Sequence, residues 1–248
     1  MKLTEQVHLV GGSTRGMGIS HDADCHIYLV TDGSEAAIID AGAGSEPELI
    51  LANIEADGIP KDPIKYLILT HCHGDHAGGA AGLKQALDLE VITPTGTKPW
   101  LETPDEDAMN ITRAREAGRY PPDYCFTPVE VAREVADGDV IQIGSLRLEV
   151  FSTPGHAPIH NAYLLQESDR TSLFSGDLVF SGGAVSIIWS PDTSVFDMGE
   201  SIGRFREMDI DALYPGHDDI SLSGGQRHID AALARFDNLV VPHSMLLD

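Results

Sequence analysis

The most informative part of the chain is the stretch Leu67-Ile68-Leu69-Thr70-His71-Cys72-His73-Gly74-Asp75-His76-Ala77-Gly78-Gly79. It begins as an apolar run typical of a strand, and it ends in small residues that open a predicted helix. Between them, four candidate metal ligands occupy positions i, i+2, i+4 and i+5. Because such residues cannot all point one way from a strand or a helix, they must lie on a tight loop. The stretch therefore predicts a ligand loop where a buried strand ends.

The four candidate ligands are His71, His73, Asp75 and His76. A loop can direct His71 and His73 to one cation while Asp75 and His76 serve a second. Imidazole and carboxylate together suit Zn, Fe, Mn or Ni. Cys72 lies between two ligands, and we expect it to point away from the metals and to be unreactive.

Three more candidates follow in the second half of the chain, each after an apolar strand and a small residue. They are His156 in Pro154-Gly155-His156, Asp177 in Ser175-Gly176-Asp177 and His217 in Pro215-Gly216-His217. Glycine lets the backbone turn sharply and keeps side-chain bulk away from a cation. Asp40 also ends an apolar strand, but by itself it is equally typical of a turn.

Composition limits the class of protein. At 248 residues the chain can form one substantial α/β domain. Its 39 Asp and Glu exceed its 16 Lys and Arg, giving a net charge of −23. This excess disfavours nucleic acids and anionic membranes as partners, so we expect a small-molecule substrate. The oligomeric state stays open, with a homodimer among the alternatives.

Cysteine content and hydropathy bear on the compartment. The three cysteines, Cys25, Cys72 and Cys125, are too few and too scattered for a disulfide framework. The N-terminus has no apolar leader, and the chain has no run of about 18 apolar residues. We therefore expect a cytoplasmic protein, unless a leader has been removed.

The remaining pattern predicts two β meanders separated by helices. Predicted strands cover 6–10, 25–30, 36–40, 65–70, 90–93, 139–143, 146–151, 161–166, 171–175 and 211–214. Predicted helices cover 46–57, 77–87, 196–208 and 224–240. Such a pattern favours two sheets stacked face to face with helices outside.

Residues 94–128 have a different character. Six prolines interrupt this stretch, and a polar segment at 105–118 is predicted to be helical. It is interpreted as an insertion that forms a lid over a substrate pocket or a surface helix that covers the sheet. The predicted pocket residues are Trp100, Tyr120, Tyr124, Phe126 and Phe180. The glycine-rich connection 11–24 is either an edge of this pocket or a solvated hairpin loop. We expect substrate specificity to come from loops 11–24, 94–128 and 180–195.

These ordered motifs resemble those of the metallo-β-lactamase superfamily of hydrolases over about residues 6–220. The resemblance implies an α/β fold, a four-layer αββα sandwich of two mixed β-sheets flanked by helices, as one domain over residues 1–248. It also implies a dinuclear site. One metal would be held by His71, His73 and His156, and the other by Asp75, His76 and His217. Asp177 would bridge the two metals, and Asp40 would hydrogen-bond to the ligands and hold their loop.

The implied chemistry is hydrolysis by a metal-bridging hydroxide. Two divalent ions about 3.5–4 Å apart lower the pKa of a shared water toward 7. Zinc is the first expectation, with Fe, Mn, Co or Ni as alternatives. Asp75 is the predicted catalytic residue that handles the proton. His160 is expected to support the site rather than contact the substrate.

Departures from known branches of the superfamily narrow the activity. Asp177 replaces the Cys of the best-known β-lactamases, and only 31 residues follow His217, where glyoxalase II enzymes carry a helical substrate domain. Lactonases of this family commonly have a Tyr three positions after the bridging Asp, where this chain has Phe180. The sequence thus predicts a dinuclear hydrolase of a lactone, ester or thioester. The alternative is an iron-dependent oxidoreductase resembling persulfide dioxygenases.

Overall fold

The computed structural model describes residues 1–167, 169–188 and 192–245. The chain forms two compact units. The first contains Met1–Val135 with Ile143–Ser145, and the second contains Ala136–Gln142 with the residues from Leu146 onward. A single domain over the whole chain stays a prediction.

The first unit contains a six-stranded mixed sheet. Its strands are β1 (Val7–Gly11), β2 (Ile27–Thr31), β3 (Ala36–Ile39), β4 (Ile64–Ile68), β5 (Glu90–Pro94) and β6 (Arg133–Val135), and they lie in that order. The first three are antiparallel neighbours, and the pairs from β3 to β6 are parallel. Strands β1 to β3 are almost wholly buried, as their continuous apolar sequences predict.

Five helices belong to the first unit. They are α1 (Pro47–Ala56), α2 (Gly74–Ala77), α3 (Ala80–Leu87), α4 (Lys98–Glu102) and α5 (Ile111–Glu116). The predicted start of the helix at 77–87 is wrong. A turn at Gly78 and Gly79 separates α2 from α3, so α3 begins at Ala80. The predicted helix 105–118 is too long, since Asn110 adopts a left-handed φ of 56° and α5 begins after it.

The second unit contains a five-stranded mixed sheet. Its strands are β7 (Val140–Ile143), β8 (Leu146–Ser152), β9 (Asn161–Gln166), β10 (Thr171–Gly176) and β11 (Ala212–Pro215), in the order β11-β10-β9-β8-β7. Strands β8, β9 and β10 are antiparallel neighbours, and β11 is parallel to β10. A 3-10 helix (Ser181–Gly183) and helices α6 (Val195–Gly203) and α7 (Gln226–Asp237) complete the unit. The predicted helix 196–208 therefore ends early, at Gly203.

Each unit has its own apolar core. In the first, Ile38 and Leu67 from the sheet pack in one cluster with Ile54 of α1 and Leu83 of α3. In the second, Leu173 and Leu213 pack with the apolar side chains of α6 and α7. Two mixed sheets with flanking helices confirm the predicted α/β fold class. Among the described residues, no helix combines the length and apolar character needed to cross a bilayer.

Candidate metal centre

The first ligand set lies where β4 runs into α2. β4 ends at Ile68; His71 and His73 lie in the following loop, and Asp75 and His76 lie on α2. His76 donates its backbone N–H to the His73 carbonyl, 3.0 Å away, which closes the loop into the helix. The predicted loop is therefore present at His71 and His73, whereas the prediction is wrong for Asp75 and His76, which lie on the short helix α2.

The side chains of this set converge. His71 Nε2 lies 3.0 Å from His73 Nδ1, and the rings of His71 and His76 have centroids 4.1 Å apart. His76 Nε2 lies 4.0 Å from Asp75 Oδ2. Two imidazole nitrogens bound to one tetrahedral zinc would be about 3.3 Å apart, given Zn–N distances of about 2.0–2.1 Å. The spacing of His71 and His73 thus fits a shared cation.

Two of these rings are oriented by partners that fix their proton positions. Asp40 Oδ2 lies 2.8 Å from His76 Nδ1, and since a carboxylate only accepts, Nδ1 must donate. Thr70 donates its hydroxyl to Asp40, so His71 Nδ1, 3.0 Å from the Thr70 oxygen, is the donor there. In both rings the lone pair is therefore on Nε2, the form that a metal ligand requires.

Asp40 is fixed by its own backbone and neighbours. It adopts a left-handed φ of 63°, which Asp tolerates better than most residues. Its Oδ1 accepts the backbone N–H of Thr70 at 2.8 Å. Asp40 therefore contacts the ligand loop at two residues, Thr70 and His76, as the sequence analysis predicted.

Two tyrosines from the predicted insertion contact the ligand loop. The Tyr120 hydroxyl donates to Asp75 Oδ1 at 3.4 Å. The Tyr124 hydroxyl lies 3.4 Å from the Gly74 carbonyl oxygen and 2.9 Å from that of Ala43, outside the loop. The two rings are stacked, with centroids 4.4 Å apart and an interplanar angle of 19°. Burial is the main reason that the pKa of each phenol is raised, so both are donors at neutral pH.

The two buried cysteines of the first unit differ in their surroundings. Cys72 lies near Thr93 and Thr97, and burial raises the pKa of its thiol to about 12. Both observations favour the predicted unreactive thiol. Cys25 forms a buried group with Asp40 and His76, with one candidate ligand atom of each within 4.8 Å of the others. Burial also raises the pKa of the Cys25 thiol to about 12, which opposes the thiolate form that binds metals. No spacing signal in the sequence links Cys25 to this group.

The second ligand set is built on the second unit. Asp177 Oδ2 lies 3.5 Å from His156 Nε2 and 3.8 Å from His217 Nε2. Each residue follows a strand: His156 follows β8, Asp177 follows β10 and His217 follows β11. One carboxylate oxygen flanked by two imidazole nitrogens suits a shared ligand.

The backbone around His156 explains the glycine that precedes it. Gly155 has a φ of 144°, and a Cβ on it would lie 2.5 Å from the Met198 Cα of α6. Only glycine permits this approach. His156 Nδ1 donates to the Ser186 carbonyl at 3.1 Å, so its lone pair is also on Nε2.

His160 forms a hydrogen bond with the backbone of Asp177. The Asp177 backbone N–H donates to His160 Nε2 at 3.2 Å, and His160 Nδ1 lies 2.8 Å from the Thr153 hydroxyl. With Nε2 accepting, Nδ1 carries the proton and donates to Thr153. The ring is 1% exposed, so the expected supporting role agrees with its contacts better than a substrate contact does.

The other predicted pocket residues differ in burial, and their place in a substrate pocket stays a prediction. Phe126 is part of the core of the first unit, and Phe180 is 1% exposed in the second. Trp100 is half-buried against the first core. Within the predicted specificity loop 180–195, residues 189–191 lie outside the described part of the chain.

Comparison with known proteins identifies the family. The model of the metallo-β-lactamase superfamily matches residues 22–217, which include both ligand sets. The chain belongs to the metallo-β-lactamase superfamily.

Relatives by sequence are thioester hydrolases by name. The chain is 29% identical over 224 residues to acyl-coenzyme A thioesterase MBLAC2 of Gallus gallus, covering 82% of this chain and 74% of that protein. It is 31% identical over 192 residues to hydroxyacylglutathione hydrolase of Rhodopseudomonas palustris (strain BisA53), covering 77% of this chain and 61% of that protein. The chain thus spans about three fifths of the second relative. These relatives confirm the predicted enzyme class, a hydrolase of this superfamily.

Solved structures share the fold. The subclass B3 metallo-β-lactamase BJP-1 of Bradyrhizobium japonicum superposes with a TM-score of 0.71 at 21% identity, over 96% of this chain and 91% of that one. GOB-18 of Elizabethkingia meningoseptica gives the same TM-score at 19% identity, over 96% and 89% of the two chains. At such identities the likeness concerns the fold alone.

Proposed function

We propose that this protein is a dinuclear metal-dependent hydrolase that cleaves a thioester of a small metabolite. Its predicted ligands would hold two divalent cations. The observation that carries the proposal is the proton arrangement in three predicted ligands. His71, His76 and His156 each donate from Nδ1 to a protein oxygen, which places the lone pair on Nε2.

The ligand atoms favour cations of intermediate hardness, such as the divalent transition metals. They belong to five imidazoles and two carboxylates, from His71, His73, Asp75, His76, His156, Asp177 and His217. Zinc is the first candidate, and iron, manganese, cobalt or nickel accept the same ligands. Asp177 would be a ligand together with His156 and His217, because its Oδ2 lies 3.5 Å and 3.8 Å from their Nε2 atoms. Bound in pairs, such cations supply a water of lowered pKa that attacks an acyl carbon at neutral pH.

Asp75 is the proposed proton carrier. Its carboxylate would accept the proton that the attacking water loses and return it to the leaving thiolate as the carbon–sulfur bond breaks. Asp40 and Thr70 would hold His76 and His71 in place during this cycle, and His160 would hold the backbone of Asp177.

A thioester is favoured over the other acyl bonds by the relatives. Two proteins with similar sequences are named for thioester hydrolysis, one on coenzyme A and one on a glutathione conjugate. An ester or a lactone would be attacked in the same way. However, Phe180 lacks the phenol that related lactonases carry at this position. The net charge of −23 supports a small-molecule substrate rather than a nucleic acid.

A substrate panel tests the proposal. The zinc-loaded protein is assayed with acyl-coenzyme A, acyl-glutathione, lactones and aryl esters, beside Asp177→Ala and the control Asp197→Ala, whose side chain is exposed on α6. We expect thioester turnover that Asp177→Ala reduces at least about a hundredfold and Asp197→Ala leaves unchanged. Wild-type protein inactive on every acyl bond would overturn the proposal, and oxygen consumption with a persulfide would support the oxidoreductase instead.

A further inference from the structure

The two carboxylate oxygens of Asp75 have different neighbours. Oδ1 accepts from the Tyr120 hydroxyl at 3.4 Å, whereas Oδ2 lies 4.0 Å from Nε2 of His76. The carboxylate is therefore oriented with one oxygen toward the insertion and the other toward a predicted metal ligand.

Tyr120 is itself held from several sides. Its side chain is 8% exposed and stacks on Tyr124, whose hydroxyl donates to the Ala43 carbonyl. Gly74, between His73 and Asp75, makes room for the phenol, since a Cβ there would lie 2.9 Å from the Tyr120 hydroxyl oxygen. A buried and stacked ring has few alternative rotamers, so its hydroxyl is fixed beside Asp75.

We propose that Tyr120 is a positioning residue, which holds Oδ1 of Asp75 so that Oδ2 is the oxygen presented to the cation beside His76. This inference rests on the proposed function and deepens it. It also assigns Tyr120 a different role from the pocket wall expected from the sequence, because the hydroxyl contacts a ligand.

The consequence concerns turnover more than substrate affinity. A carboxylate that rotates about its last torsion can exchange its two oxygens, and the terminal torsion of Asp is broad when nothing restrains it. Losing a hydrogen bond that orients a metal ligand typically lowers metal affinity or activity by about 10–100-fold. Phenylalanine at this position retains the stack and removes only the hydroxyl.

The test compares Tyr120→Phe with Tyr66→Phe, which also removes a phenol hydroxyl but lies on β4, outside the ligand loop, and leaves the contact with Asp75 in place. Both variants and the wild type are loaded with zinc for kinetics and with Co²⁺ for visible absorption spectra. Thermal unfolding of the metal-free proteins shows whether either substitution merely damages the fold. We expect Tyr120→Phe to lower kcat about tenfold with little change in KM, and to change the Co²⁺ spectrum. Tyr66→Phe should retain the wild-type spectrum and most of kcat.

Unchanged kcat and an unchanged Co²⁺ spectrum in Tyr120→Phe, with an active wild type, would overturn this inference and leave the proposed function standing. Equal losses in both variants that follow the unfolding temperature of the metal-free form would also overturn it. A wild type inactive on all acyl substrates would refute the proposed function. In that event the Co²⁺ spectra alone still decide whether Tyr120 orients Asp75.

Discussion

Nδ1 of His76 lies 2.8 Å from Oδ2 of Asp40, and both side chains are buried. A second pair in the same unit, His8 Nδ1 and Asp57 Oδ2, has the same separation but lies outside the ligand loop. Both pairs join a histidine to an aspartate, but only the first includes a predicted metal ligand. Comparing substitutions in the two pairs therefore distinguishes an effect on metal binding from an effect on the fold.

The Asp40→Asn variant should weaken metal binding. It keeps the volume of the side chain and removes the charge that holds the Nδ1 proton of His76, so zinc affinity should fall by about 10–100-fold. Zinc competition with a chromophoric chelator measures the change. Asp57→Asn is the matched control and should retain wild-type zinc affinity. Equal affinity in all three proteins would contradict the orienting role of Asp40.

Two glycine substitutions should have opposite effects on stability. A Cβ on Gly79 would overlap the Ala41 carbonyl oxygen, whereas one on Gly82 would meet only Pro47 at 3.8 Å. Gly79→Ala should therefore destabilise the fold by about 1–3 kcal/mol. Gly82→Ala, inside α3, should stabilise it by about 0.5–1 kcal/mol. Denaturant unfolding of the metal-free proteins checks both signs, and a Gly79→Ala protein as stable as the wild type would show that the close approach is absent.

The cysteines should differ in reactivity. Cys25 and Cys72 are buried with the pKa of each thiol raised to about 12, while Cys125 is exposed. At pH 8 a disulfide reagent should therefore modify one thiol per native chain and all three after denaturation in guanidinium. Cys125→Ser should remove the native reaction. Rapid modification of a second native thiol would place Cys25 or Cys72 within reach of solvent.

Stability should depend on pH through His228. Burial lowers the pKa of this imidazole, whose Nδ1 accepts the Gly182 backbone N–H at 2.8 Å and whose Nε2 lies 2.6 Å from the Ser221 hydroxyl oxygen. Arg227, with Nε 3.3 Å from His228 Nε2, also disfavours protonation. Since the unfolded chain binds this proton near pH 6.5 and the folded chain resists it, stability should fall as pH drops below about 6.5.

Thermal unfolding of the metal-free protein between about pH 5 and pH 8 measures this effect. The wild type should lose more stability on acidification than His228→Gln, in which the titrating group is gone. Parallel pH profiles for the two proteins would show that His228 does not contribute.

The parts of the fold that the sequence predicted are those with strong local patterns. Apolar runs located most of the strands, and the ligand spacing located the loop after β4. Strand β6 was missed because two of its three residues, Arg133 and Glu134, are charged, and its pairing with β5 is a tertiary contact. Helix α5 was overestimated because the left-handed turn at Asn110 is fixed by backbone hydrogen bonds rather than by a periodic pattern.

The candidate site was predictable at the ligands and less so behind them. His and Asp residues after strands are visible in a sequence. Thr70 and the Ser186 carbonyl, which orient His71 and His156, carry no comparable signal because any backbone carbonyl and many hydroxyls can serve. Tyr120 was predicted as a residue of the substrate pocket, and its contact with a ligand was not predicted. Its contact with Asp75, 45 positions earlier, depends on how that insertion packs.

The central proposal is that the protein binds two divalent cations and needs them for turnover. The most direct test removes the metal stepwise with a chelator and then adds zinc back. At each step the metal content of the protein and its rate of thioester hydrolysis are measured. We expect two equivalents of metal per chain at full activity, loss of activity with metal, and recovery as zinc is restored. Full activity in protein that contains less than one equivalent of metal would contradict the account.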